Sequence, residues 1–235
     1  MHESPRNIFV RNLANITSVL GVLPLCILFL ENGYQYLLPL IVYNNIMDDL
    51  DGVLASKLNI KSSFGALLDN VCDAIAHTVF VMVVGINYAQ ETGFTYVGGI
   101  CLASSLVAAV AMILRVVSRL QPTAVAGIGT PTNELIRHMF FVVLIAQALT
   151  AHGLVLDPTP FLIAVFAIHS VSMLVRFKMP YLIRTLSKSA TSIGLVNVAL
   201  IVAYFVPYAA IGIGALFFST YLCSFLIGGI NGRGK

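Results

Sequence analysis

Charged side chains are scarce in this sequence: 13 Lys and Arg and 10 Asp and Glu among 235 residues, or 10%. Soluble domains carry about 25%, so a water-soluble globular class is excluded. A hydrophobic content of 58% and a mean hydropathy of +0.93 agree. A strand period is also missing, and in lipid that leaves helices rather than a closed barrel. Cys26, Cys72, Cys101 and Cys223 lie in apolar runs without C-x-x-C spacing. That excludes a patterned zinc or redox motif, and they read as reduced, buried packing residues. No cleavable leader is indicated. MHESPRNIFVRN is mixed and polar, and the apolar run after it lacks a small-residue cleavage site.

What the chain does have is a series of apolar stretches, many of which run to about 20 residues, enough to cross a hydrocarbon core as helix. The expected spans are about Leu13 to Phe29, Tyr36 into an acidic segment at Asp48 and, after a polar loop from Lys57 to Ser63, a span that carries Asp69 and Asp73 in its first turns and ends near Tyr88. Three more run from about Tyr96 to Val117, Leu135 to Leu149 and Phe161 to Val175. Two C-terminal stretches, about Ile193 to Phe205 and Ala209 to Ile230, are separated by Pro207. A short interfacial helix is expected before them, with Ile8, Phe9 and Val10 toward lipid. The fold class is therefore an all-α polytopic transmembrane bundle of about eight spans. It forms one domain over residues 1–235, with core spans in about 12–177 and two additional spans in about 190–230. On this count all thirteen basic residues fall on one side: Arg6, Arg11, Lys57, Lys61, Arg115, Arg119, Arg137, Arg176, Lys178, Arg184, Lys188, Arg233 and Lys235. The opposite loops hold Glu31, Glu91 and Asp157 and no Lys or Arg. The excess of positive charge puts both termini, and the mouth of the acidic segment, in the cytoplasm.

Half of the ten acidic residues fall in one window, DDLDGVLASKLNIKSSFGALLDNVCD, as Asp48, Asp49, Asp51, Asp69 and Asp73. Asp48 and Asp51 are three apart and Asp69 and Asp73 four apart, so each pair shares a helical face. Two such helices side by side would bring four carboxylates to one place. Like charges at that density stay ionised in a low-dielectric site only beside a cation. An oxygen-only ligand set suits a hard divalent ion such as Mg²⁺ or Mn²⁺. Charge alone leaves two readings open, a metal-dependent enzyme and a cation- or proton-coupled transporter.

Asp48, Asp51, Gly52, Ala55, Gly65, Asp69 and Asp73 stand at the spacing D-x2-D-G-x2-A-R-x8-G-x3-D-x3-D, and in this the chain resembles the CDP-alcohol phosphotransferases. Ser56 departs from the Arg usual in that family, with Lys57 next to it as a substitute. The resemblance implies a transferase with two divalent cations, Mg²⁺ or Mn²⁺, held by Asp48, Asp51, Asp69 and Asp73. Asp73 would also be the general base on the acceptor hydroxyl. Gly52, Ala55 and Gly65 would let the cytidine diphosphate approach the helices, with Ser56 and Lys57 beside it. Asp49, about 100° around the helix from Asp48, is a nucleotide contact or a helix partner. His77, one turn beyond Asp73, is a support for the site or an interhelical hydrogen bond. Asn12, Asn15 and Thr17 are expected to face the bundle as glue or near the nucleotide. A transporter would show paired repeats with broken helices, and no second acidic cluster follows residue 73.

The implied donor is CDP-diacylglycerol with its tails in the bilayer, and CMP would leave. Within the family, the phosphatidylserine synthase branch resembles this chain in its two extra C-terminal spans, in Arg115 and Arg119, in the Gly129-Thr130-Pro131-Thr132 loop and in the Met173 to Lys178 stretch. L-serine is therefore the first acceptor, with glycerol 3-phosphate, inositol phosphate and choline as alternatives. Arg115, Arg119, Arg137 and Arg176 are candidate acceptor contacts for an anionic group, and Glu134 for the serine ammonium. Membrane lipids are the expected surroundings, nucleic acid is not expected, and the sequence leaves a homodimer open.

Overall fold

A computed structural model describes residues 5–121, 128–180, 182–183 and 190–232. The basic residues Arg184, Lys188, Arg233 and Lys235 lie outside these described residues. Every regular element among them is helical, apart from one isolated antiparallel bridge between Ile128 and Lys178. The helices are α1 (Pro5–Arg11), α2 (Leu13–Val22), α3 (Leu37–Lys57), α4 (Ser63–Glu91), α5 (Tyr96–Arg119), α6 (Thr132–Ala151), α7 (Thr159–Leu174), α8 (Ala190–Phe205) and α9 (Pro207–Gly232). Two 3₁₀ segments, Leu23–Phe29 and Gly33–Tyr36, join α2 to α3.

Four of these, α4, α5, α6 and α9, are long and apolar enough to cross a membrane. Leu13–Phe29, α7 and Thr191–Phe205 are apolar but shorter. The 21 residues of α3 suffice in length, but they carry Asp48, Asp49, Asp51 and Lys57.

The chain divides into two compact units, Met1–Ala76 and His77–Lys235. In the first, α2 packs on α3. Pro24 explains why α2 gives way to a 3₁₀ turn there. Without an N–H it cannot bond the carbonyl of Leu20 in an α-helix or of Gly21 in a 3₁₀-helix. Lipid offers no water for such a carbonyl, and α3 fills the gap. The Tyr43 hydroxyl donates to Leu20 O at 3.0 Å and Asn44 Nδ2 to Gly21 O at 3.3 Å. Ahead of them on α1, Ile8, Phe9 and Val10 are exposed, as an interfacial helix requires.

In the second unit α5 packs on α7, and α6 on both α7 and α9. Hydrocarbon is as apolar as Leu, so helices in it associate through close packing and interhelical hydrogen bonds. The polarity of α5 is accordingly inside out. Ser105, Ala108, Ala109 and Ala111 are buried, while Leu106, Val110, Ile113 and Leu114 point outward. The four cysteines are free, but only Cys101 is buried. Cys26 and Cys223 are exposed on apolar helices, correcting the expectation that all four pack inside. A thiol behaves as a small hydrophobe and so sits as well on a face toward acyl chains.

Candidate metal and nucleotide site

The acidic window folds as the end of α3, a short link and the start of α4. One oxygen each of Asp48, Asp51 and Asp69 lies within 4.8 Å of the others. Three carboxylates this close, with oxygen as the only donor type, could hold a hard divalent ion. Asp73 sits one turn further along α4, half-buried and outside that triplet. Asp49 is buried and turned to its own helix, where Asn45 Nδ2 donates to its Oδ2 at 3.3 Å.

Asp51 is steadied from α2. The buried Ser18 hydroxyl donates to Asp51 Oδ2 at 2.5 Å. Sequence reasoning picked Asn12, Asn15 and Thr17 from this helix and missed Ser18. The available signal was a hydroxyl inside an apolar run, which is weak because such a group also bonds its own helix. Ser18 Oγ indeed lies 3.2 Å from Ala14 O, and Thr17 Oγ1 donates to Leu13 O at 2.9 Å.

A cavity of about 320 Å³ opens beside the triplet, lined by Asp51, Asp69, Gly52, Ala55, Gly65 and Lys61 among others. A Cβ added at Gly52 would meet nothing within 4 Å. No neighbour in the protein therefore requires glycine at that point, and the bare backbone faces open space. Gly65 is different, since a Cβ there would come within 2.9 Å of Asn15 Oδ1. Asn15 lines the same cavity. Ser56 and Lys57 are exposed and are not among its lining residues.

The link between the helices is tightly specified. Ile60 N donates to Ala55 O at 3.1 Å and Asn59 N to Ser56 O at 3.4 Å, around Asn59 at φ +54°. This is a Schellman ending of α3 with Asn in the left-handed position. Two residues later Ser62 Oγ accepts from Gly65 N at 2.9 Å and caps α4.

The residues expected at the acceptor lie in the second unit. Arg115, Arg119 and Arg176 line one cavity of about 310 Å³ there. Arg115 is buried and donates through Nη2 to Ile128 O. Glu134 and Arg137 instead form an ion pair at 3.1 Å with both side chains 2% exposed, so the carboxylate expected to meet an ammonium group already has a cation. The Gly129 loop and the Met173 to Lys178 stretch meet directly. Gly129 N donates to Phe177 O and Thr130 N to Ser172 O, both at 3.0 Å. Gly129 holds φ +62°, and a Cβ there would stand 2.7 Å from Met173 O, so glycine is required on both counts. His77 Nδ1 lies 2.9 Å from Thr132 Oγ1, the interhelical hydrogen bond of the two expectations.

Comparison with known proteins gives a family and one partial relative. Residues 11–222 match the sequence model described as CDP-alcohol phosphatidyltransferase. An uncharacterized protein of Aquifex aeolicus (strain VF5) is 38% identical over 69 residues, 28% of this chain and 35% of that protein. The alignment thus spans about a third of that relative's length.

Proposed function

The chain belongs to the CDP-alcohol phosphatidyltransferase family, and from that premise we propose that it transfers the phosphatidyl group of CDP-diacylglycerol to the hydroxyl of a small polar alcohol, releasing CMP. The observation that carries this reading is the Asp48, Asp51 and Asp69 triplet, set at the wall of a cavity where Gly52 leaves open space. Membership of the family also decides between the enzyme and the transporter that the acidic cluster alone left open.

The family uses divalent metals, and the all-oxygen triplet fits Mg²⁺ or Mn²⁺. Asp48, Asp51 and Asp69, with Asp73 contributing to the second, would hold two such ions, whose chemistry would be to offset the diphosphate charge and stabilise the attacking and leaving oxygens. Ser18 fixes the rotamer of Asp51. Asp73, outside the triplet, takes the proton from the acceptor hydroxyl. The hydroxyl oxygen then forms its bond to the β-phosphorus as the bond to the CMP oxygen breaks, giving a phosphodiester. Gly52, Ala55 and Gly65 admit the nucleotide. The membrane topology we propose counts Leu13–Phe29, α3 and the six helices from α4 to α9 as eight spans. Both termini and the site then face the cytoplasm by the distribution of basic residues.

L-serine is the acceptor assigned first. The paired C-terminal helices and the bonded Gly129 and Met173 to Lys178 segments support that branch of the family. A phosphorylated acceptor is the second reading, favoured by the three arginines of one cavity, Arg115, Arg119 and Arg176. The deciding experiment incubates purified protein with CDP-diacylglycerol, Mn²⁺ and, separately, L-serine, glycerol 3-phosphate, inositol phosphate and choline. CMP release with L-serine supports the first assignment, release only with a phosphorylated alcohol replaces it, and release with none overturns the transferase reading.

A further inference from the structure

The family's spacing places an arginine where this chain has Ser56, so a cationic side chain is missing from the nucleotide's end of α3. Lys57, its neighbour in sequence, is poorly placed to replace it. Counting about 100° per residue from Asp48, Asp51 lies at −60°, Gly52 at +40° and Ala55 at −20°. Ser56 is at about +80°, on the margin of that face, and Lys57 at about 180°, on the back of the helix. Both are exposed and neither lines the cavity beside the triplet.

Lys61 does line it, together with Asp51, Gly52, Gly65 and Asp69. It also lines an adjoining cavity of about 410 Å³, which shares Asn15, Ile60 and Ser62 with the first. Lys61 thus lines both. Its backbone is set from both sides, by the Schellman ending of α3 at Asn59 and Ile60 and by the Ser62 cap of α4. Lys61 is itself exposed, and its cation is beside a cluster of carboxylates that would otherwise repel a diphosphate, and close to the start of α4, whose dipole favours anions.

We propose that Lys61, from the link between α3 and α4, supplies the cationic contact to the donor's diphosphate that Ser56 does not. The inference rests on the transferase reading and assigns a specificity-determining residue within it. Lys61 binds and orients, taking no proton, and its ammonium meets phosphate oxygens as a charge-assisted hydrogen bond.

The test is calorimetric titration of the full chain in detergent micelles with CDP, and separately with cytidine, in the presence of Mn²⁺. Lys61→Ala should weaken CDP binding by about tenfold to a hundredfold, the loss of one hydrogen bond to a charged group. Cytidine, without a diphosphate, should bind the variant as it binds the parent. Lys61→Arg should keep CDP affinity within about threefold, Lys57→Ala should leave it unchanged, and Ser56→Arg added to Lys61→Ala should restore it. Unfolding temperatures of each variant separate a lost contact from a lost fold. If the unsubstituted chain fails to bind CDP, the transferase reading itself fails. If it binds and Lys61→Ala binds equally, or loses cytidine to the same extent, the reading stands and Lys61 is not the contact.

Discussion

The two units of this chain differ in which charges they bring together. In the second, several buried polar groups pair with one another. Arg137 meets Glu134, His138 Nδ1 lies 2.7 Å from His169 Nε2, and the Tyr221 and Thr130 hydroxyls both reach Ser172 Oγ at 2.8 and 2.9 Å. In the first, Asp48, Asp51 and Asp69 are gathered face to face, and like charges are not partners. Where lipid forbids unsatisfied polar groups, paired groups hold helices together, whereas an assembled set of like charges beside a cavity marks a place for something the chain does not itself provide. Polarity inside a membrane protein is therefore informative only once its partners are known.

The sharpest way to break this contrast is at the carboxylates. Asp69→Asn or Asp73→Asn should lower transfer by about three orders of magnitude or more while the protein still inserts and purifies, as expected for removing a metal ligand or a general base. Excess chelator should stop turnover, and added Mg²⁺ or Mn²⁺ should restart it. Full activity of Asp69→Asn, or of the parent in chelator, would mean that the triplet is another piece of structural glue, and full activity of Asp73→Asn would mean that Asp73 is not the base.

Glu134→Ala is the corresponding experiment in the second unit. Its expected effect is on stability, about 3 to 5 kcal/mol, because Arg137 is left as a buried charge without its carboxylate. Thermal unfolding in detergent measures it, and Glu134→Ala with Arg137→Met should recover much of the loss. If Glu134→Ala instead leaves stability intact and raises the KM for serine, Glu134 reads the acceptor's ammonium as the sequence suggested. Ser18→Ala should fall between these classes, lowering metal affinity about tenfold through Asp51 with little change in unfolding temperature. A Mn²⁺ titration followed by activity reads the first quantity.

How much of this was visible beforehand depends on the range over which a signal acts. The spacing of Asp48, Asp51, Asp69 and Asp73 repeats the turn of a helix, so the sequence shows that each pair shares a face of its helix, and the structure gathers three of the four. The helical class follows from hydropathy in the same way. Span lengths were less legible: α7 and α8 are each 16 residues long, short of the roughly 20 that a bilayer core asks of a helix. Long-range partners were not legible at all. Ser18 and Asp51 are 33 residues apart and Tyr221 and Ser172 are 49 apart, and no local period links a lone hydroxyl to either. Glu134 and Arg137 stood three apart on one helix, a spacing that suits an ion pair. Reading each for a substrate obscured that they serve one another.

The smallest expected effect tests whether pairing in the second unit is worth what it suggests. Tyr221 is buried, its ring stacks on His169 at 4.4 Å, and its hydroxyl donates to Ser172 Oγ. Ser172 Oγ also accepts from Thr130. Tyr221→Phe keeps the ring and removes only the hydroxyl, so stacking and volume stay nearly constant. Interhelical hydrogen bonds in lipid average only about 0.6 kcal/mol, because the unfolded helices also find partners. A loss near that figure, with CMP release unchanged, would place the network among ordinary helix contacts. A loss of activity without a matching loss of stability would instead move Tyr221 and Ser172 into the functional half of the comparison, and the gathered carboxylates would no longer be its sole members.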